Sequence, residues 1–171
     1  MPSKRFDTLI ELVDQARKSV PVRLTIVGEG YERDRLQRKI SELGADSWCE
    51  LAGFVPEGRL IGLYRSAWAV VSTSISEGWG MTMTEAAACG TPAIATRGVG
   101  HSDSVDHGRT GLLADTDAAL VAGIVRLMKD PALRTALGDR ARIEAARFSW
   151  ERTAHDTLAV LASEAHRLRG H

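Results

Sequence analysis

Trp68-Ala69-Val70-Val71-Ser72-Thr73, followed by Glu77-Gly78-Trp79-Gly80-Met81-Thr82-Met83-Thr84-Glu85-Ala86-Ala87-Ala88-Cys89-Gly90-Thr91-Pro92, decides how this chain folds. The first run is short, apolar and partly β-branched, which predicts a buried strand. Gly78 and Gly80 permit a sharp turn and a close approach of backbone to a ligand. The run from Glu85 to Cys89 is made of good helix formers, and Gly90 and Pro92 end it. A helix that starts at a glycine turn points its unpaired N–H groups back toward that turn. Such a terminus attracts phosphate oxygens. Glu77, before the turn, is placed to accept hydrogen bonds from sugar hydroxyls. Glu85, about two helical turns further on, is placed to accept from both hydroxyls of a ribose. One short segment thus offers a sugar acceptor, a phosphate cradle and a ribose acceptor, and points to a nucleotide-sugar site.

Outward from this segment, helical and strand patterns alternate. Phe6, Leu9, Ile10, Val13 and Ala16 recur at helical spacing, so residues 6–19 read as an amphipathic helix, ended by Pro21. Val22 to Gly28, Cys49 to Gly53, Pro92 to Thr96 and Gly111 to Ala114 read as strands. Tyr31 to Leu43 reads as a charged helix stopped by Gly44, and Pro56 fits the first position of a helix carrying Leu60, Leu63 and Tyr64. Helices fill most of residues 117–168, with breaks near Pro131 and Phe148-Ser149-Trp150. Continuous apolar strands alternating with helices predict an α/β fold, a parallel sheet with helices on both faces. Ligands of such sheets sit beyond the carboxyl ends of the strands, where the glycine turn lies.

Composition narrows the function. The 171 residues suit one domain or one half of a two-domain enzyme. Lysine plus arginine equals aspartate plus glutamate at 22 each, so nothing marks a nucleic-acid partner, and phosphate affinity has to come from local placement. Cys49 and Cys89 form no metal spacing and no disulfide framework, which predicts reduced, buried thiols in a cytoplasmic protein. Met1-Pro2-Ser3-Lys4-Arg5 runs straight into the first amphipathic pattern, so no signal peptide is expected. No apolar run approaches the roughly 20 residues of a membrane span.

The segment around Glu77 and Glu85 resembles the signature of retaining glycosyltransferases of the two-Rossmann-domain type, in their large family 4 grouping. Ile26-Val27-Gly28-Glu29-Gly30, Leu51-Ala52-Gly53-Phe54-Val55-Pro56, Asp106-His107-Gly108-Arg109-Thr110-Gly111-Leu112-Leu113 and Phe148-Ser149-Trp150-Glu151 match that family in order and spacing. The likeness covers nearly all of residues 4–165 and concerns the C-terminal, donor-binding half alone. It implies one Rossmann-like nucleotide-sugar-binding domain over residues 1–171, with a closing helix at 149–169 that leans on the N-terminal domain. By the resemblance, Glu77 contacts the donor sugar and Lys4 neutralises the diphosphate, the two residues assigned to catalysis. Gly78, Trp79, Gly80, Met81 and Thr82 meet the sugar and diphosphate, with Gly28 close by. Glu85 takes the ribose, and Phe54 and Val55 border the base. The donor is a nucleoside-diphosphate sugar, with no metal and no further cofactor. The partner is an acceptor domain, in cis or as a separate chain. The implied location is cytoplasmic, with the inner membrane face reached through that other domain.

Three departures from the family pattern stand out. Arg5 replaces a usual glycine. Gly98-Val99-Gly100-His101-Ser102-Asp103 replaces a loop with two glycines and a glutamate, leaving Asp103 to keep the acidic role. The family also places a strand and an arginine before Lys4. That strand is central in a sheet of Rossmann order, so its absence predicts a gap or a borrowed segment.

Other readings weigh less. Gly28-Glu29-Gly30 is no dinucleotide fingerprint, because its third glycine would fall at Arg33. His101, Asp103, Asp106 and His107 are too irregularly spaced for a metal site. Tyr64, Trp68 and Trp150 read as packing residues. Arg126, Lys129, Arg134, Arg140, Arg142 and Arg147, interleaved with acids, read as a solvated face. The alternatives are a Rossmann-like module for another cofactor and a catalytically dead or regulatory interaction domain. In the latter, Leu158, Leu161 and Leu168 would dock a partner or a second copy.

Overall fold

The computed structural model describes residues 4–169, so Met1, Pro2 and Ser3 lie outside the described residues. The elements run α1 (Phe6–Arg17), β1 (Leu24–Val27), α2 (Arg33–Glu42), β2 (Cys49–Gly53), α3 (Glu57–Ser66), β3 (Val70–Ser72) and α4 (Met81–Ala88). They continue with β4 (Ala93–Thr96), α5 (His101–Ser104), β5 (Gly111–Ala114), α6 (Asp117–Lys129), α7 (Pro131–Ala145) and α8 (Trp150–Arg169).

All pairings are parallel, but the strands fall into two sheets, β1-β2 and β3-β4-β5. β1 pairs from Leu24↔Cys49 onward, β3 from Val70↔Ala93 and β4 from Ala93↔Gly111. Among the described residues the second ladder edges of β1 and β3 pair with no strand, so the sheet is interrupted there, as expected. One apolar core nevertheless spans both sheets. It joins Leu9, Ile10 and Val13 of α1 to Ile26 of β1, and to Ile94, Leu112, Leu120 and Ile124 on the other side. Burial of side chains, which needs no ladder bonds, therefore holds the halves together across the gap.

The helices follow from their sequences. α1 buries Leu9, Ile10, Leu12, Val13 and Ala16, one helical face. Thr116 caps α6 by accepting from the Ala119 amide at 3.1 Å, and Asp130 caps α7 by accepting from Leu133 at 2.9 Å, with Pro131 in its first turn. Gly44 and Gly90 end α2 and α4 at φ +61° and +80°, backbone that side chains rarely adopt.

Several expectations need correction. Pro56 is the N-cap of α3 rather than its first helical residue. The strand expected over 68–73 is reduced to Val70–Ser72. The stretch after Gly100 forms the short helix α5 instead of a loop. Cys49 is buried, where desolvation pushes its thiol up to about 11, but Cys89 is only partly buried. Trp68, expected to pack, is 52% exposed, with the Arg134 guanidinium over its ring at 4.1 Å from the centre. Trp150, expected to pack, is 87% exposed on α8. No helix among the described residues is long and apolar enough to cross a membrane.

Candidate functional site

The sheet geometry puts the β3–α4 connection at the carboxyl end of β3, and that connection carries the glycine turn. Gly80 is the N-cap of α4 at φ +79° and ψ +52°, a left-handed conformation open to glycine at little cost. No side chain caps the helix, so its first amides face the turn without a side-chain acceptor. Trp79 donates its indole N–H to Thr84 Oγ1 at 2.9 Å, and its ring meets Phe148 edge-on, with ring centres 5.3 Å apart. The turn is thus anchored to the segment between α7 and α8. Met81 and Thr82 are exposed at the start of α4, and Gly78 is exposed before it.

Two predicted residues far apart in sequence come together here. Lys4 Nζ lies 2.6 Å from Glu77 Oε1. Thr73, at the end of β3, donates its hydroxyl to the carbonyl oxygens of Lys4 and Arg5, each at 2.9 Å, which fixes the entry to α1 beside the turn. Burial opposes ionisation of Glu77. Hydrogen bonds from Lys4 and Ser74, and the charge of Lys4, outweigh it and hold the carboxyl below the usual carboxylate range.

Glu85 faces a different neighbour. Tyr64 of α3 donates its hydroxyl to Glu85 Oε2 at 2.9 Å. Burial first, then the bond to Glu85 and its charge, raise the Tyr64 phenol above its ordinary range. Glu77 is therefore turned toward the start of α1 and Glu85 toward α3, on the two sides of the uncapped helix end.

At the neighbouring strand ends, the Gly28 amide donates to the Gly53 carbonyl at 2.9 Å. Glu29 Oε1 accepts from the Phe54 amide at 3.0 Å. Phe54 is exposed, but Val55 is buried, so Val55 can border a ligand only through its backbone. A cavity of about 290 Å³ opens beside Lys4, lined by Phe6, Gly28, Glu29, Gly30 and Tyr31 among others, and it holds neither Glu77 nor Glu85. Asp103 is exposed. Among the described residues no group of three or more His, Cys, Asp or Glu is arranged to hold a metal ion.

Sequence reasoning missed Thr73, Ser74, Tyr64, Phe148 and His101 as supports of this site. Gly98 and Gly100 were the available signal for the last. A β-carbon on Gly100 would lie 2.3 Å from the Glu77 carbonyl oxygen, so the loop after β4 presses on the glycine turn.

The chain is similar to known proteins over most of its length. The chain is 37% identical over 164 residues to a D-inositol 3-phosphate glycosyltransferase of Pseudarthrobacter chlorophenolicus, covering 94% of this chain and 39% of that protein. It is 40% identical over 151 residues to the protein of that name in an Arthrobacter species, covering 86% and 36%. Among solved structures it resembles Anabaena HepE in complex with UDP and glucose, with TM-score 0.83 and 26% identity over 95% of this chain and 46% of that one. It also resembles sucrose-phosphate synthase from Thermosynechococcus elongatus, with TM-score 0.85 and 28% identity over 98% and 44%. The chain spans about two fifths of the length of the curated relatives it matches. The model of the family described as glycosyl transferases group 1 matches residues 1–144, and the chain belongs to that family.

Proposed function

We propose that this chain is the donor-binding half of a retaining glycosyltransferase. In this reading it holds a nucleoside-diphosphate sugar at the carboxyl ends of its strands, while another domain supplies the acceptor. The observation that carries the proposal is the meeting of Lys4 and Glu77, 2.6 Å apart, beside the uncapped amino end of α4. Cleavage of the bond between the anomeric carbon and the diphosphate builds positive charge on the sugar ring and negative charge on the leaving group. The free amides of Met81 and Thr82 and the Lys4 ammonium stabilise the leaving charge; preorganised donors of this kind are each worth on the order of 3 kcal/mol in a transition state. Without donor, Lys4 rests on Glu77. A diphosphate competes for that ammonium and frees Glu77 to accept from the sugar. Glu85, steadied by Tyr64, accepts from the ribose, and the backbone of Phe54 and Val55 borders the base.

The UDP-containing HepE structure and the names of the curated relatives support this class of donor. Calorimetric titration with UDP, GDP and ADP tests it. One of them should bind, and Glu85→Ala should weaken that binding by about tenfold, the loss of one charge-assisted contact. Equal affinity in the alanine variant would remove Glu85 from the site.

The apolar residues of α8 favour an added partner role. Leu158, Leu161 and Leu168 are each at least 60% exposed on that helix. This surface is proposed to dock the acceptor domain, joined in cis or as a separate chain, and to favour self-association when that domain is absent.

A further inference from the structure

The imidazole of His101 makes none of the hydrogen bonds described above, yet it is 1% exposed and opens α5. Its Nδ1 lies 2.9 Å from the Thr96 carbonyl oxygen. A carbonyl only accepts, so Nδ1 carries the proton. Nε2 is buried without a hydrogen-bond partner, and it is the one such side-chain nitrogen or oxygen among the described residues. An unpaired buried polar atom is costly, and an aliphatic side chain would fill this space without that cost.

The Cδ2 edge of the ring faces the glycine turn. A β-carbon on Gly80, the N-cap of α4, would lie 3.4 Å from Cδ2, the ring carbon bonded to Nε2. The segment is pressed into place from the other side as well, since the Glu77 amide donates to the Val99 carbonyl at 3.4 Å and Ser104 donates to the Gly100 carbonyl at 2.8 Å. The ring is clamped beneath the turn that presents the free amides of α4.

We propose that His101 is a positioning residue that takes up a proton at Nε2 when the diphosphate of a sugar nucleotide seats on the amino end of α4. The inference rests on the donor site proposed above. In the neutral ring Nε2 is an acceptor with no donor. A diphosphate brings negative charge to the far side of the turn, and a proton from solvent on Nε2 turns the ring into a cation and a donor beneath it. One N–H bond forms, the proton leaves a buffer acid, and no other bond changes. The charged groups around the ring are Glu77 from the β3–α4 turn and, through it, Lys4 at the start of α1. On its own segment are Arg97, paired with Asp115 at 2.7 Å, and the exposed Asp103. Arg97 stays with its carboxylate partner, and a Lys4 drawn onto the diphosphate leaves the Glu77 carboxylate beside the ring without its cation, which favours a proton on the imidazole.

Calorimetry of the full chain in buffers of differing ionisation heat, from about pH 6 to 8.5, reads this directly. The probes are UDP-glucose, GDP-mannose and ADP-glucose, whose diester-like pyrophosphates gain no proton near neutrality. Binding should take up a fraction of a proton that rises toward one, and affinity should fall by up to tenfold per pH unit on the alkaline side. H101L and H101Q should bind with neither effect, and thermal melting should show both folded. Binding without proton uptake, or uptake undiminished in H101L, overturns the inference and leaves the donor site standing. No binding of any probe removes both.

Discussion

β4 and β5 are buried along their length apart from Thr96, whereas β1 and β3, which flank the gap, are mostly half-exposed despite apolar residues such as Leu24, Val27, Val70 and Val71. The closed half is locked by backbone against backbone. A β-carbon on Gly138 of α7 would lie 2.2 Å from the Gly90 carbonyl oxygen, and one on Gly111 would lie 2.5 Å from that of Ala93. The α1–α2 seam over the open half adds ion pairs such as Arg35–Asp7 and Lys39–Glu11, with several of their side chains well exposed. Exposed pairs contribute about 0–1 kcal/mol each, far less than a packed glycine seam that tolerates no added atom. The glycine turn, α4 and α5 belong to the rigid half, while Lys4 and the cavity beside it belong to the looser one. The candidate site straddles the boundary.

The largest test of this difference is Gly138→Ala. The new methyl has no room, so the α4–α7 seam must shift, and overpacking of this kind costs about 1–3 kcal/mol or more. Gly62→Ala, in α3 with nothing within 4 Å of its added carbon, should instead stabilise by about 0.5–1 kcal/mol through helix propensity. Urea unfolding of the two variants reads both signs, and equal effects would abolish the distinction between locked and open packing.

Hydrogen exchange tests the same difference without a substitution. Amides of β4 and β5 should exchange at least about tenfold more slowly than those of β1 and β2, a gap of about 1.4 kcal/mol in local opening. A short aliphatic peptide that pairs in the gap between β1 and β3 should narrow that ratio. Uniform protection across both sheets would show that the shared core alone equalises them.

The Lys4–Glu77 contact crosses the boundary and responds to pH. Glu77 titrates below its unfolded counterpart, so its stabilising contribution is complete above the unfolded value and fades as pH falls through the folded one. Carboxyl-carbon NMR should place the Glu77 midpoint below the ordinary glutamate range, and Lys4→Met should move it upward. An unchanged midpoint in that variant would show that Lys4 does not hold the acid.

The alternation of strands and helices was legible because the strands are short apolar runs, most of them with glycine or proline at or near an end. β2 and β5 match their expected limits to the residue. The interruption between β1 and β3 was expected from the family pattern, and the described strands do form two separate ladders. What sequence could not show was cross-chain pairing. Glu85 has an expected role, but nothing local says that Tyr64 will donate to it from α3. Trp79 reads as a ligand contact, while its ring also spans to Phe148, a partner fixed only by where α7 ends. Trp150 misled because aromatic content usually signals packing, whereas here it stands on a helix that the described fold leaves uncovered.

Arg5 provides the smallest and most local test. It is the one non-glycine residue with positive φ among the described residues, at φ +51° and ψ +43°, where the family pattern has glycine. A left-handed residue with a side chain costs about 1–2 kcal/mol. In return the guanidinium reaches Asp117 at 2.9 Å, in the first turn of α6, and so ties the open half to the closed one. That pair is partly exposed and contributes less than about 1 kcal/mol. Arg5→Gly removes strain and ion pair together and gives the unfolded chain more freedom, so its net effect should lie within about 0.5 kcal/mol of zero. Asp117→Ala alone loses the pair and keeps the strain, so it should destabilise measurably, yet cost less in the Arg5→Gly background. A double-mutant cycle by thermal or urea unfolding isolates that coupling. Identical costs of Asp117→Ala in both backgrounds would mean that the strain at Arg5 is tolerated by the α1–α6 packing and not by the salt bridge across the boundary.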